Sequence, residues 1–245
     1  MVPQSRAPTI LLTRPAAQSS RFAAALTEHL PGIRIVTSPL LAPRYLSPVL
    51  PDRNWTALIL TSESAALSAQ RITADHATLP RFAFCVGDHT AEAARAAGFA
   101  PLSAKGDAAA LVALILSHSP AGPLLHLRGV ESRGDIADRL ISAGIETFEA
   151  ISYAQESQSL TTEASAILTG IDPVIAAVFS PRTAEILVRE CRRIGLVAPM
   201  MIVAMSAAVA AAAAPLSGSP TIAARPDAEA MLVAVLSRLA MWREP

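Results

Sequence analysis

The sequence predicts an α/β protein built from parallel sheets in two similar domains. Three observations lead there. Short β-rich apolar runs alternate with longer helical patterns along the 245 residues. Four of these segments recur in the same order at nearly constant offset. Helices of this length between strands are the mark of βαβ units, whose strands pair in parallel.

Each element has its own signal. "TILLT" (9–13) reads as a strand, and "AAQSSRFAAALTEHL" (16–30) follows it as a helix with Phe22, Leu26 and Leu30 on one face. Pro31 and Gly32 end that helix. "IRIVTS" is the next strand. "ALILT" (57–61) and "FAFCV" (82–86) are strands that each lead into an Ala-rich helix. "LLHLR" (124–128) opens another unit, whose helix "RGDIADRLISAG" stops at Gly144. "ETFEAISYA" is a further strand, and "AAVFS" (176–180) and "MIVAM" (201–205) continue the alternation. "DAEAMLVAVLSRL" is a closing amphipathic helix. The apolar stretch Met200–Ala214 would reach roughly 22 Å as a helix, short of a ~30 Å hydrocarbon core. Bracketed by Pro199 and Pro215, it reads as a buried strand leading into a close-packed helix.

The repeat sets the domain organisation. "LILTSESAAL" resembles "AVFSPRTAEIL", "FCVGDHTAEAARAAG" resembles "IVAMSAAVAAAAAP", and "AKGDAAALVALIL" resembles "ARPDAEAMLVAVL". The segment from "ILLTRPAAQ" likewise resembles the one from "LLHLRGVES". Arg14 then matches Arg128, Ser62 matches Ser180, Gly87 matches Ser206 and Asp107 matches Asp227, at offsets of 114, 118, 119 and 120 residues. Such a period is of domain size and beyond the solenoid range. Stretches 37–52 and 152–165 begin as strands and turn Pro- or Ser/Gln-rich, so they read as linkers. One domain is expected over 1–37 plus 160–245 and the other over 45–152, with 38–44 and 153–159 as antiparallel connectors.

Composition excludes several function classes. Just over half the residues are hydrophobic and 16% are charged, as in a well-buried globular chain. Lys plus Arg and Asp plus Glu number 20 each, so no global charge favours nucleic acid or a membrane surface. Two cysteines, Cys85 and Cys191, sit far apart, which implies neither a disulfide framework nor a zinc site. Cys85 lies in an apolar run and reads as a buried structural thiol. A reducing compartment, the cytoplasm, is expected. "MVPQSRAPTILL" lacks the layout of a signal peptide.

Function is expected at the strand tips, because ligands of open parallel sheets bind beyond the carboxyl ends of the strands. The tips are "TRP" (13–15), "TSES" (61–64), "GDHT" (87–90), "RGVESR" (128–133), "SPRT" (180–183) and "SAA" (206–208). Each is an N-cap by residue type, worth about 1 kcal/mol, and each is equally a place where free N–H groups attract anions. Arg14, Arg128, Arg133 and Arg182 add basic groups for charge-assisted contacts. Nucleotide-loop, serine-hydrolase and zinc-protease signatures are missing, and the five histidines do not cluster in sequence. His126, inside "LLHLR", reads as a strand histidine satisfied within the sheet. Tyr153, one of two tyrosines, sits at a domain crossing. It reads either as a packed ring with a solvated hydroxyl or as a phenol able to donate a proton or hydrogen bond.

The order of "LLTRP", "LILTSESAA", "FCVGDHTAEAARAAGF", "LLHLRGVESRGDIADRLISAGIETFEAISYAQ", "AVFSPRTAEIL" and "ARPDAEAMLVAVL" resembles the uroporphyrinogen-III synthase family over nearly the whole chain. That resemblance implies two flavodoxin-like domains joined by a two-stranded connector, with a ligand cleft between them. It implies cyclisation of the linear tetrapyrrole hydroxymethylbilane, with inversion of ring D, without metal or cofactor. Also implied are a monomer, transient contact with hydroxymethylbilane synthase, and no nucleic-acid or membrane partner. By resemblance Tyr153 is the catalytic candidate. Thr13, Arg14, Thr61, Ser62, Ser64, Gly87, Thr90, Arg128, Arg133, Ser180 and Ser206 are the substrate-binding candidates. The chain departs from the family pattern at "MSAAVA" (205–210), where many members read "IGxxTA", and at Ser64, where "TSxNA" carries Asn. A binding module for a small polyanion and an inactive, scaffolding family member are the alternative readings.

Overall fold

A computed structural model describes residues 7–75, 79–131 and 134–243. In chain order its elements begin with β1 (Thr9–Leu12), α1 (Ala16–His29), β2 (Ile35–Thr37) and β3 (Leu41–Tyr45). There follow β4 (Ala57–Leu60), α2 (Glu63–Asp75), β5 (Phe82–Cys85), α3 (Asp88–Ala96), β6 (Ala100–Ser103) and α4 (Ala108–His118). Next come β7 (Leu124–Gly129), α5 (Ile136–Ser142), β8 (Thr147–Ser157), α6 (Thr162–Thr169), β9 (Val174–Val178) and α7 (Pro181–Ile194). The chain closes with β10 (Met200–Ala204), α8 (Ala207–Ala213), β11 (Thr221–Ile222) and α9 (Ala228–Arg243). It divides into two compact units, residues 1–42 with 157–245 and residues 43–156.

In the first unit the sheet runs β11-β10-β9-β1-β2, all parallel. Numbered within the unit, that is the flavodoxin-like order 2-1-3-4-5 read from the other edge. The strands are apolar on both sides because helices cover both faces. Leu11, Ala176 and Ile202 pack with α6, α7 and α8. Ile10, Leu12, Ile175 and Val203 pack with Phe22 and Leu26 of α1 and Met231, Val235 and Leu239 of α9. Each fully buried aliphatic side chain contributes roughly 1.5–3 kcal/mol.

The second unit carries the order β3-β8-β7-β4-β5-β6. The five strands from β8 to β6 are parallel. Taking β7 as the first strand again yields 2-1-3-4-5, so this unit is a circular permutation of the other. Leu58 and Leu60 face the small residues Ala65, Ala66, Ala69, Ala91 and Ala94 of α2 and α3. Ala57 and Ile59 face Leu111, Val112, Ile115, Ile136 and Leu140 of α4 and α5. The matched pairs of the repeat occupy matched places. Ser62 and Ser180 cap α2 and α7, Gly87 and Ser206 precede α3 and α8, and Asp107 and Asp227 accept amides of α4 and α9.

β3 lies antiparallel to β8, as the bonds from Leu46 N–H to the Ser152 carbonyl and from Gln158 N–H to the Leu40 carbonyl require. The division between the units falls within β3 and at the end of β8. Two expectations change here. The linker read over 152–165 runs into a helix, because Thr161 caps α6 through the Ala164 amide. The edge strands β6 and β11 escape the apolar pattern; in β6 a proline sits among residues of intermediate burial, as edge strands allow. The stretch 200–214 is β10 followed by α8, as expected. Among the described residues no helix is long and apolar enough to cross a membrane. Cys85 and Cys191 are buried, and burial pushes both thiols up to about 12.

The returning chain is pinned by a buried carboxylate. Glu190 on α7 accepts the Leu160 N–H at 3.1 Å and the Arg193 guanidinium at 2.8 Å. Beside it, Ser38 Oγ accepts the Thr161 N–H at 2.9 Å. The Arg193 hydrogen bond holds the Glu190 carboxyl below the usual glutamate range. A lowered folded-state pKa means that the stabilisation is complete above the ordinary value and is lost as pH falls through the lowered one. Glu190→Ala is therefore expected to cost about 1–3 kcal/mol at neutral pH, the penalty for an unpaired buried amide. In denaturant titrations the gap between wild type and variant should narrow as pH drops below about 4.3, as the charge-dependent part of the stabilisation is lost.

Candidate active site

In a sheet of order 2-1-3-4-5 the crevice opens where the chain reverses its direction of travel, between the first and third strands. In the second unit that point lies between the carboxyl ends of β7 and β4. A cavity of about 300 Å³ sits there. Thr61 and Ser62 contribute from just beyond β4, Val86 from just beyond β5, Gly129 from the end of β7 and Glu131 from the turn after it. Tyr153 and Gln155 of β8, Ala108 and Ile136 at the starts of α4 and α5, Gly134 and His126 complete the wall.

Tyr153 reaches this wall through a bulge. Arg128 pairs with Ile151, but Gly129 pairs with Tyr153, so Ser152 has no partner across the β7–β8 ladder. Side chains alternate along a regular strand, and an extra residue resets the alternation. Ser152 and Tyr153 thereby both face α2. Ser152 Oγ lies 2.7 Å from Ser68 Oγ. Tyr153 Oη lies 2.9 Å from Ser62 Oγ, and Ser62 Oγ accepts the Ala65 N–H at 3.0 Å. Glycine at 129 is a steric requirement, since a Cβ there would stand 2.8 Å from two atoms of the Tyr153 ring. The ring is 8% exposed, so a fully solvated hydroxyl does not describe it.

His126 corrects the sequence reading. Its Nδ1 lies 3.1 Å from Glu149 Oε1, and Arg128 Nε donates to the other Glu149 oxygen at 2.8 Å. Nε2 is buried and bonds to no protein atom among the described residues, so the ring is satisfied on one side only. Burial pushes the imidazole below its ordinary pKa, with Glu149 pulling the other way. A carboxylate is an acceptor, so in the neutral ring Nδ1 carries the proton and Nε2 presents a lone pair. The legible signal for this array was a polar residue at a core position of "LLHLR".

The remaining candidates divide by unit. Ser64 and Thr90 lie in the first turns of α2 and α3, Thr90 buried, and Gly87 is extended at the α3 N-cap; none lines the cavity. Arg128 is engaged with Glu149 and with the Gly129 carbonyl at 3.3 Å. Arg133 lies outside the described residues. Thr13, Arg14, Ser180 and Ser206 belong to the first unit. Thr13 Oγ1 is buried without a bond among the described residues. Arg14 stacks on Phe179 at 4.2 Å and donates to Gln18. Ser180 accepts the Thr183 N–H at 3.1 Å, and Ser206 the Val209 N–H at 3.4 Å. Among the described residues no group of three or more His, Cys, Asp or Glu is placed to hold a metal.

Two flavodoxin-like units, one with a cavity of mixed polar and apolar lining at its switch point, have the architecture of the α/β proteins that bind ligands at strand ends. A family model described as uroporphyrinogen-III synthase HemD matches residues 20–233, and the chain belongs to the uroporphyrinogen-III synthase family. Its role is accordingly in tetrapyrrole biosynthesis. The fold is similar to the crystal structure of uroporphyrinogen-III synthetase from Helicobacter pylori 26695, with a TM-score of 0.60 and 18% identity. That match covers 94% of this chain and 99% of the other. No curated protein matches the chain significantly in sequence.

Gly129→Ala should displace the Tyr153 ring and cost about 1–3 kcal/mol by overpacking. With only two tyrosines in the chain, ring NMR resonances report that displacement directly. Ser62→Ala should cost about 1 kcal/mol through the lost cap without moving the ring.

Proposed function

We propose that the chain is a hydro-lyase that cyclises hydroxymethylbilane to uroporphyrinogen III with inversion of ring D and release of water. The observation that carries this reading is the Ser62–Tyr153 hydrogen bond at the cavity wall. The Ala65 N–H donates to Ser62, whose hydroxyl is free to donate to the phenol oxygen while the phenol donates onward. Hydrogen bonds aligned in one direction reinforce one another. As the C–O bond of the hydroxymethyl group breaks, its electron pair leaves with oxygen, which takes the phenol proton and departs as water. The Ser62 hydroxyl supports the phenolate that remains. The pyrrole nitrogen supplies the pair and keeps its proton, so the azafulvene forms as its N-protonated cation, balanced by the phenolate.

No strong nucleophile is needed, because ring D itself attacks the ring A methylene through its substituted carbon. The spiro centre so formed releases its original methylene bond to ring C. That methylene re-attaches at the unsubstituted carbon of ring D, and the proton lost from this carbon returns to the phenolate. The remaining tasks are orientation of the folded chain and exclusion of water from the azafulvene. The apolar side of the wall, Val86, Ala108 and Ile136, suits the second task. In the first unit Thr13, Arg14 and Ser180 are proposed contacts for the carboxylate arms of the substrate.

Purified protein given hydroxymethylbilane should yield isomer III in excess of the protein-free control, resolved as uroporphyrins after oxidation. No excess would refute the reading. Tyr153→Phe should slow ring closure by roughly 10²–10⁴, the range for a positioned acid, and let the spontaneous type I isomer accumulate. Unchanged production of isomer III would remove Tyr153 from the mechanism.

A further inference from the structure

The bulge that presents Tyr153 is tied down by a pair of buried hydroxyls. Ser152, the extra residue of β8, and Ser68 of α2 are both buried, with their Oγ atoms 2.7 Å apart. Ser68 donates to the Ala65 carbonyl at 2.8 Å, so Ser152 is the donor within the pair. The Ser152 carbonyl accepts the Leu46 N–H, just beyond β3, at 2.9 Å. Further along α2, Arg71 stacks on Tyr45 of β3 at 4.4 Å. Ala65 stands at the centre of these ties. Its N–H leads to Ser62 and Tyr153, and its carbonyl leads to Ser68 and Ser152. Two neighbouring residues of β8 are thus bound to one helix.

Stability alone does not call for the pair, since replacing both partners of a buried hydrogen bond by apolar groups of the same shape is nearly neutral. What a directional bond adds is a unique position. An extra residue can sit at more than one place along a strand pair. Set later in β8, it would leave Ser152 opposite Gly129, and alternation would turn Tyr153 to the other face. Ser152 would then stand about one residue rise, ~3.3 Å, from its present place. The bond to Ser68 would be broken.

We propose that Ser68 and Ser152 are positioning residues for the cyclisation: their hydrogen bond fixes the bulge at Ser152 and so holds the Tyr153 phenol against Ser62. Neither hydroxyl touches substrate, and the pair acts through Tyr153 alone. The assignment rests on the cyclase reading above, with Tyr153 as its proton donor, and adds the device that keeps the donor in place.

Kinetics of isomer III formation from hydroxymethylbilane, together with ring NMR, test this. Ser152→Ala and Ser68→Ala should each lower kcat roughly tenfold or more, since a misplacement of about 1 Å can cost about 10². KM should stay within about twofold, as expected when only the reacting step is touched. The Tyr153 ring resonances should shift or double. The double variant should be no slower than the slower single, because the two hydroxyls act as a unit. In a Tyr153→Phe background, Ser152→Ala should change kcat by less than about twofold, which a general loosening of the unit would not give. Thr147→Val, in the same strand, removes a buried hydroxyl bonded to the Ile145 carbonyl and should leave kcat and the ring resonances as they are. Three results would each overturn the proposal and leave the cyclase reading intact: unchanged kcat in both alanine variants, an undiminished effect in the Tyr153→Phe background, or a loss of the same size in Thr147→Val. Absence of isomer III from the wild type would overturn both.

Discussion

Burial of both faces of a parallel sheet is the constraint on which this molecule depends. Ala57 to Leu60 and Val174 to Val178 are without solvent exposure. Strands with two apolar faces need helices on each side, and the connecting helices supply them. Because every helical return passes over the sheet, the parallel strands of a unit end on the same edge, and helices begin there. The polar residues of the tips are then gathered at one edge, where a ligand can meet them together. Site location thus follows from core packing, before any chemistry is specified.

Within that frame, a single extra residue decides which chemistry is present. The bulge between Arg128 and Gly129 turns Tyr153 toward α2, Gly129 leaves room for its ring, and the α2 cap supplies its hydrogen bond. One serine thereby serves as helix cap and as partner of a phenol. β7 also carries His126, held on Nδ1 by Glu149 of β8, with Nε2 buried and unbonded among the described residues.

The sequence made the strand–helix units legible because both faces of the sheets are apolar and the helices are amphipathic or Ala-rich. It made the repeat legible because Ser62 and Ser180, or Asp107 and Asp227, do the same capping work in both units. It left α6 inside a supposed linker, since "TTEASAILT" (161–169) carries few apolar residues, and its cap Thr161 follows a polar run. Edge strands β6 and β11 were hidden for a similar reason: an edge is half-exposed and needs no strict pattern. Tyr153 was found through its family position, whereas its hydrogen bond was not. Arg128 was expected to face substrate, and its pairing with Glu149 on the neighbouring strand redirects it.

Local pattern by itself determined the alternation of strands and helices, the duplication, and the hydroxyl-rich tips, because propensity, periodicity and capping act within a few residues. Only the tertiary structure decided the permuted strand order of the second unit, the bulge that aims Tyr153, and the half-satisfied state of His126. Each of these rests on pairing between residues distant in sequence: Gly129 with Tyr153, Ser62 with Tyr153, and His126 with Glu149. Such pairings carry no local signature, since they are set by the register in which whole strands come to lie side by side.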